Sequence, residues 1–169
     1  MRTRFALILV GALALAGFAA PDAAPLPDPA AVAISKPVYV SRHLQKREGS
    51  DPSLTGEGAA NAQKLAAMLA DKGITAIFVT PTRRTTQTAE PLAKRLGIAI
   101  TTYDPRDPAA LVRAVAAAGG PVLIVGHSNT VPDLVAAFGG TRPAPMSEED
   151  FGTLFVVEPD GTVAATEVR

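Results

Sequence analysis

Only two histidines occur among the 169 residues, and each stands at the end of a short strand-like run. His43 follows Val38-Tyr39-Val40-Ser41-Arg42, and His127 follows Val122-Leu123-Ile124-Val125-Gly126. Arginines accompany them. Arg42 immediately precedes the first histidine, and Arg83 and Arg84 come just after a third run that ends at Thr80-Pro81. Guanidinium groups are planar, permanently charged and forked, which suits the oxygens of a carboxylate or a phosphate. Imidazoles near neutral pH serve either as neutral nucleophiles or as charged donors. Together these residue types describe a pocket for a phosphoryl group, with one histidine able to accept it covalently. Zinc is the competing use of two histidines. It would lack an obvious third ligand and the arginines would repel it, so neither metal nor other cofactor is expected.

Such a pocket requires distant segments to converge. Residues 37–41 read as a buried strand. Thr55, with Glu57 in the first turn, suits the start of an amphipathic helix whose apolar positions recur through residues 59–72. Gly73 stops it. Residues 74–80 read as a second strand and 84–96 as a second helix, which Pro91 should kink or divide. A third strand over 98–102 leads to a third helix over 108–118, opened by Asp107 or Pro108 and closed by Gly119-Gly120. Residues 121–126 are apolar throughout, as in a central parallel strand. Asn129 or Thr130 caps a fourth helix that runs to Phe138. Residues 153–158 and 162–168 flank Pro159-Asp160-Gly161, a hairpin signal, able to join the main sheet or a partner chain. Four strand–helix pairs and a hairpin make an α/β domain with a largely parallel sheet. Ligands of open parallel sheets bind beyond the carboxyl ends of the strands. At those ends stand Arg42 and His43, Thr80 with Arg83 and Arg84, Tyr103 and Asp104, and His127.

Composition narrows the function classes. With 47% hydrophobic and 19% charged residues the chain can build a core. Sixteen basic and sixteen acidic side chains cancel, which argues against a nucleic-acid binder with a basic surface. There is no cysteine, so disulfides, thiolate metal sites and a catalytic thiol are excluded. Arg2 and Arg4 precede an uncharged apolar stretch from Phe5 to Phe18 and then small residues, the layout of a secretory signal peptide. Residues 1–20 are read as that leader, 21–36 as an Ala/Pro-rich tether and 37–169 as the folded domain. Export to a bacterial periplasm is the expectation. An uncleaved leader, acting as an N-terminal membrane anchor, is the alternative.

Four segments carry a family resemblance. Arg42-His43 after the first strand resembles the Arg-His signature of the histidine phosphatase superfamily, in its phosphoglycerate mutase-like branch. Leu54-Thr55-x-x-Gly58 is similar to the segment that follows in that family. Thr80-Pro81-Thr82-Arg83-Arg84-Thr85-Thr86-Gln87-Thr88-Ala89-Glu90 resembles its Ser-Pro-x-x-Arg-Ala-x-Gln-Thr-Ala-Glu pattern, and Gly126-His127-Ser128 its second-histidine segment. The order and spacing agree over residues 37–140. The resemblance implies a three-layer sandwich with a mostly parallel central sheet flanked by helices. It implies a metal-independent phosphomonoester hydrolase in which His43 becomes a phosphohistidine, Arg42 and Arg84 clamp the oxygens, and His127 binds them from the other side. Register selects Arg84 over Arg83.

Two positions depart from the family pattern. Leu44 stands where many members have glycine, which would change the loop or make a pocket wall apolar. The carboxylic acid that protonates the leaving group has no clear counterpart; Asp104 stands nearest its place, ahead of Glu48 and Asp133. The implied substrates are phosphorylated small molecules or phosphoproteins. Protein phosphohistidine hydrolysis and non-catalytic phosphate binding are the alternatives.

Overall fold

The computed structural model describes residues 34–168. The expected leader and most of the expected tether lie outside the described residues. Ten elements follow one another along the described residues. They are β1 (Val38–Arg42), α1 (Gly56–Leu69), β2 (Ala76–Val79), α2 (Arg83–Leu96) and β3 (Ile100–Thr102). After them come α3 (Pro108–Ala117), β4 (Val122–Gly126), α4 (Val131–Ala137), β5 (Thr153–Val157) and β6 (Val163–Glu167).

One six-stranded sheet has the order β3-β2-β4-β1-β5-β6. The first four strands in that order are mutually parallel, and the hairpin β5–β6 joins antiparallel through β5 to β1. The hairpin therefore completes the main sheet. Side chains alternate across the pleat. Val38, Val40, Val122 and Ile124 enter a core with Leu111, Val115, Leu134 and Val135 of α3 and α4. Tyr39, Leu123 and Val125 enter the opposite core with Leu65, Leu69 and Leu92 of α1 and α2. β1 and β4 are buried along their whole length, which is why β4 and the first three residues of β1 read as apolar runs.

Helix ends follow local chemistry. The Thr55 side chain accepts from Gly58 N at 3.0 Å and caps α1. Asp107 caps α3 by accepting from Ala110 N at 2.9 Å. Gly97, with φ +68°, ends α2 in the left-handed conformation that favours glycine. A side chain at Gly58 would strike the backbone of Gln45, so only glycine lets α1 start this close to the loop after β1.

Of the two effects expected of Pro91, division does not occur: α2 runs undivided over 14 residues with the proline inside it. The proline removes one helical hydrogen bond. The buried face of Thr88, Ala89, Leu92 and Ala93 against α1 and the sheet holds both halves together.

Candidate functional site

The register of β1 on β4 builds the site. Arg42, the last residue of β1, lies opposite Gly126, the last of β4, and His43 N donates to Gly126 O at 3.0 Å. Both histidines therefore leave the sheet from adjacent strands, with ring centroids 5.3 Å apart in an edge-to-face arrangement.

His43 is only 2% exposed. Its Nδ1 lies 2.9 Å from Leu44 O. A carbonyl only accepts, so this contact puts the ring proton on Nδ1 and leaves the lone pair on Nε2. Burial, opposed by the Leu44 bond and reinforced by Arg42, His127 and Arg84, pushes the imidazole down to about 4. The ring is neutral at physiological pH. The Leu44 side chain is fully buried with Leu54 and Ala62, so it anchors the loop beneath α1 and makes no pocket wall.

His127 follows β4. Its Nδ1 faces Arg84 Nη2 at 3.4 Å, and its Nε2 lies 2.8 Å from Thr80 Oγ1. Arginine can only donate, which assigns the lone pair to Nδ1 and the proton to Nε2. The Thr80 hydroxyl then donates to Thr85 Oγ1 at 3.2 Å, and the Thr85 hydroxyl donates to Thr80 O at 2.7 Å. This ordered relay fixes the ring. Burial, then Arg84 and Arg42, push His127 to about 4 as well.

Arg84 stands in the first turn of α2. Arg83, in contrast, is exposed, and its backbone N donates to Asp51 Oδ1 at 3.0 Å. The same carboxylate oxygen is 3.7 Å from Arg84 Nη1.

Arg42 is 1% exposed, and a segment absent from the sequence expectations holds it. Nη1 donates to Ser147 O at 2.8 Å and Asp150 O at 3.1 Å, and Nη2 donates to Glu148 Oε2 at 3.1 Å. The guanidinium stacks on Phe151 at 4.1 Å from the ring centroid, and that ring sits 5.9 Å from His43. Glu148 is tied by its other oxygen to Ser128 Oγ at 2.7 Å. Among the described residues the buried Nε atoms of Arg42 and Arg84 have no partner. Three of the five N–H donors of Arg42 are engaged, which leaves Nε and one proton of Nη2 for an anion. The signal in the sequence was faint: an acidic run, Glu148-Glu149-Asp150, ahead of a predicted strand.

The structure thus brings Arg42, His43, Arg84 and His127 together. It does not bring the expected acid with them. Asp104 is exposed and chelates Arg106, accepting from Nε at 3.0 Å and from Nη2 at 2.8 Å. Those bonds hold its carboxyl near 2, so at neutral pH it carries no proton to donate. Glu48 is exposed, and Asp133 pairs with Arg142 at 2.7 Å on the surface. Beside His127 a cleft of about 470 Å³ opens between Thr80, Pro81, Tyr103, Asp104 and Arg106. Tyr103 forms its buried wall with a hydroxyl lacking any partner among the described residues.

No curated protein matches the chain in sequence. Solved structures share its fold. YhfR of Bacillus stearothermophilus has 18% identity and a TM-score of 0.61, over 79% of this chain and 96% of that one. Mycobacterial glucosyl-3-phosphoglycerate phosphatase has 14% identity and a TM-score of 0.59, over 78% and 97% of the two chains. The protein histidine phosphatase SixA, complexed with tungstate, has 22% identity and a TM-score of 0.59, over 77% and 94%. A family model matches residues 40–108, the stretch that carries Arg42, His43 and Arg84. The resemblance read from the motifs is borne out: that stretch matches the model of the histidine phosphatase superfamily, branch 1, and the described residues have the α/β fold of phosphoglycerate mutase-like phosphatases.

Proposed function

We propose that the chain is a metal-independent phosphatase that works through a phosphohistidine on His43. The observation that carries this reading is the His43 ring, buried and neutral, with Nδ1 bound to the Leu44 carbonyl so that Nε2 keeps its lone pair. Nε2 attacks phosphorus, the P–N bond forms as the ester P–O bond breaks, and the leaving group departs with the bonding electrons. Water then attacks phosphorus, the P–N bond breaks, and inorganic phosphate leaves. Through both steps Nε of Arg42 and the Arg84 guanidinium hold the non-bridging oxygens. His127 takes up a proton on Nδ1 as the anion arrives and donates to it.

Asp104 is ionised by Arg106, and Glu148 is held below the usual carboxylate range by Ser128 and then Arg42. Neither carboxyl carries a proton at neutral pH. The enzyme therefore favours leaving groups that depart unprotonated, such as aryl phosphates, acyl phosphates or phosphohistidine. The cleft beside His127 has the volume of a small-molecule site, which favours a small ester over a protein surface. Export through the leader belongs to the same proposal, and the N-terminus of protein recovered from a periplasmic fraction tests it.

The mechanism is tested by hydrolysis of an aryl phosphate with chelator present, wild type beside His43→Ala. Chelator-resistant turnover in the wild type and a loss of at least about a thousandfold in the variant are expected. Equal rates would refute the phosphohistidine route.

A further inference from the structure

Each arginine of the site is met by an exposed carboxylate. Glu148, 72% exposed, lies 3.1 Å from Arg42, and Asp51, 50% exposed, lies 3.7 Å from Arg84. The two contacts differ in kind. Arg42 does not need Glu148 to stay in place: its Nη1 is saturated by two backbone carbonyls, its face lies on Phe151, and it is buried. An exposed ion pair adds little to such an anchor. Yet Glu148 is not loose, because Ser128, next to His127, donates to its second oxygen at 2.7 Å. The carboxylate is pinned by two donors beside Arg42, whose buried Nε–H has no partner among the described residues. A fixed negative charge there opposes any compact anion that comes to Arg42, and more strongly the more highly charged that anion is.

We propose that Glu148 is a specificity-determining residue of the phosphoryl site, a built-in counter-charge that weakens the hold on free inorganic phosphate. Resting on the phosphatase reading above, it explains how a pocket with two arginines lets its product go. An ester gains further contacts in the cleft beside His127. Inorganic phosphate has only the arginines and histidines, so the counter-charge shifts the balance from product towards substrate.

The test is competitive inhibition by inorganic phosphate and by vanadate in the full chain, with Glu148→Gln beside wild type and Glu149→Gln as control. Glutamine has the same length; its oxygen can still accept from Arg42 while its NH2 donates to the Ser128 hydroxyl, so the Glu148→Gln variant removes the charge and reverses one hydrogen bond. Glu149 touches neither Arg42 nor Ser128 among the described contacts. Phosphate inhibition five- to tenfold tighter in Glu148→Gln, with less than a twofold change in Glu149→Gln, is expected, and the gap should shrink in high salt. Inhibition unchanged or weaker in Glu148→Gln, in an enzyme still active on aryl phosphate, would overturn the proposal alone. An equal change in both variants would overturn it too, since the effect would then be one of general surface charge. If wild type neither hydrolysed aryl phosphate nor bound phosphate or vanadate, the phosphatase reading would fall, and this inference with it.

Discussion

At the scale of single residues, the environment decides which protonation states are available. His43 is buried and His127 half-buried beside guanidinium groups, and both are pushed from the usual 6.5 to about 4. In the unfolded chain they regain ordinary values, so between pH 4 and 6.5 the unfolded state binds more protons. Stability must then rise with pH across that window; it is fully present above about 6.5 and lost as pH falls towards 4. Urea midpoints at about pH 4.5 and about pH 7 check this, and a His43→Asn, His127→Asn double variant should show a flatter pH dependence. The same logic makes anion binding a proton-coupled event. A phosphate dianion beside His127 favours its charged form, so about one proton should be taken up per phosphate bound at neutral pH. Calorimetry in two buffers of different ionisation enthalpy would reveal it as a buffer-dependent apparent heat. The four central residues were legible because family spacing and strand ends both pointed to them. Glu148 and Phe151 were not. Glu148 lies 106 residues beyond Arg42, Phe151 a little further, and only the β1–β5 pairing brings them near. Asp104 misled for the opposite reason. Its position was right for an acid, but Arg106, two residues on, holds it ionised.

At the scale of elements, α2 keeps a proline that was expected to kink or divide it, and it is not divided. A proline at the ninth of 14 positions removes a backbone donor, at about 3 kcal/mol in an isolated helix interior. Its helix nevertheless stays in one piece, because Ala89, Leu92 and Ala93 are buried on either side of the break. Tertiary burial outweighs local propensity here, and periodicity alone could not weigh the two. Pro91→Ala restores the missing N–H and should stabilise the fold by about 1–2 kcal/mol, a rise in Tm seen by thermal unfolding. Pro91 lies two turns beyond Arg84 along α2, lining a groove with Leu54, Ala59 and Lys94 that shares no residue with the cleft beside His127, so activity should hold within twofold. The N-terminus of α2 shows a second substitution of distant for local structure. Thr82 makes no capping bond with its side chain, and Asp51 accepts from Arg83 N instead. No local reading of the helix start could supply that partner.

At the scale of the whole molecule, the α/β class and all six strands were readable because β1, β2 and β4 are apolar over nearly their whole length. What the sequence left open was the place of the hairpin, since its inner residues suit either an intramolecular or an intermolecular partner. β5 settles on β1, with Leu154 and Val157 buried in opposite cores. The sheet's centre should be the most sensitive place to perturb. Ile124 is fully buried in β4 beneath α3 and α4, and Ile124→Ala should cost about 3 kcal/mol, a lower urea midpoint with an unchanged slope.

The position of β1 has a temporal consequence. It is the first strand among the described residues, yet its two neighbours, β4 and β5, are among the later ones, starting at Val122 and Thr153. A growing chain therefore holds Val38–Arg42 with both hydrogen-bonding edges open for most of its synthesis. Such non-local pairing slows folding, and an apolar strand with open edges is a template for unwanted association. The residues that later form the candidate site are thus the ones most exposed before it exists, and aggregation during synthesis should fall on the segment around His43.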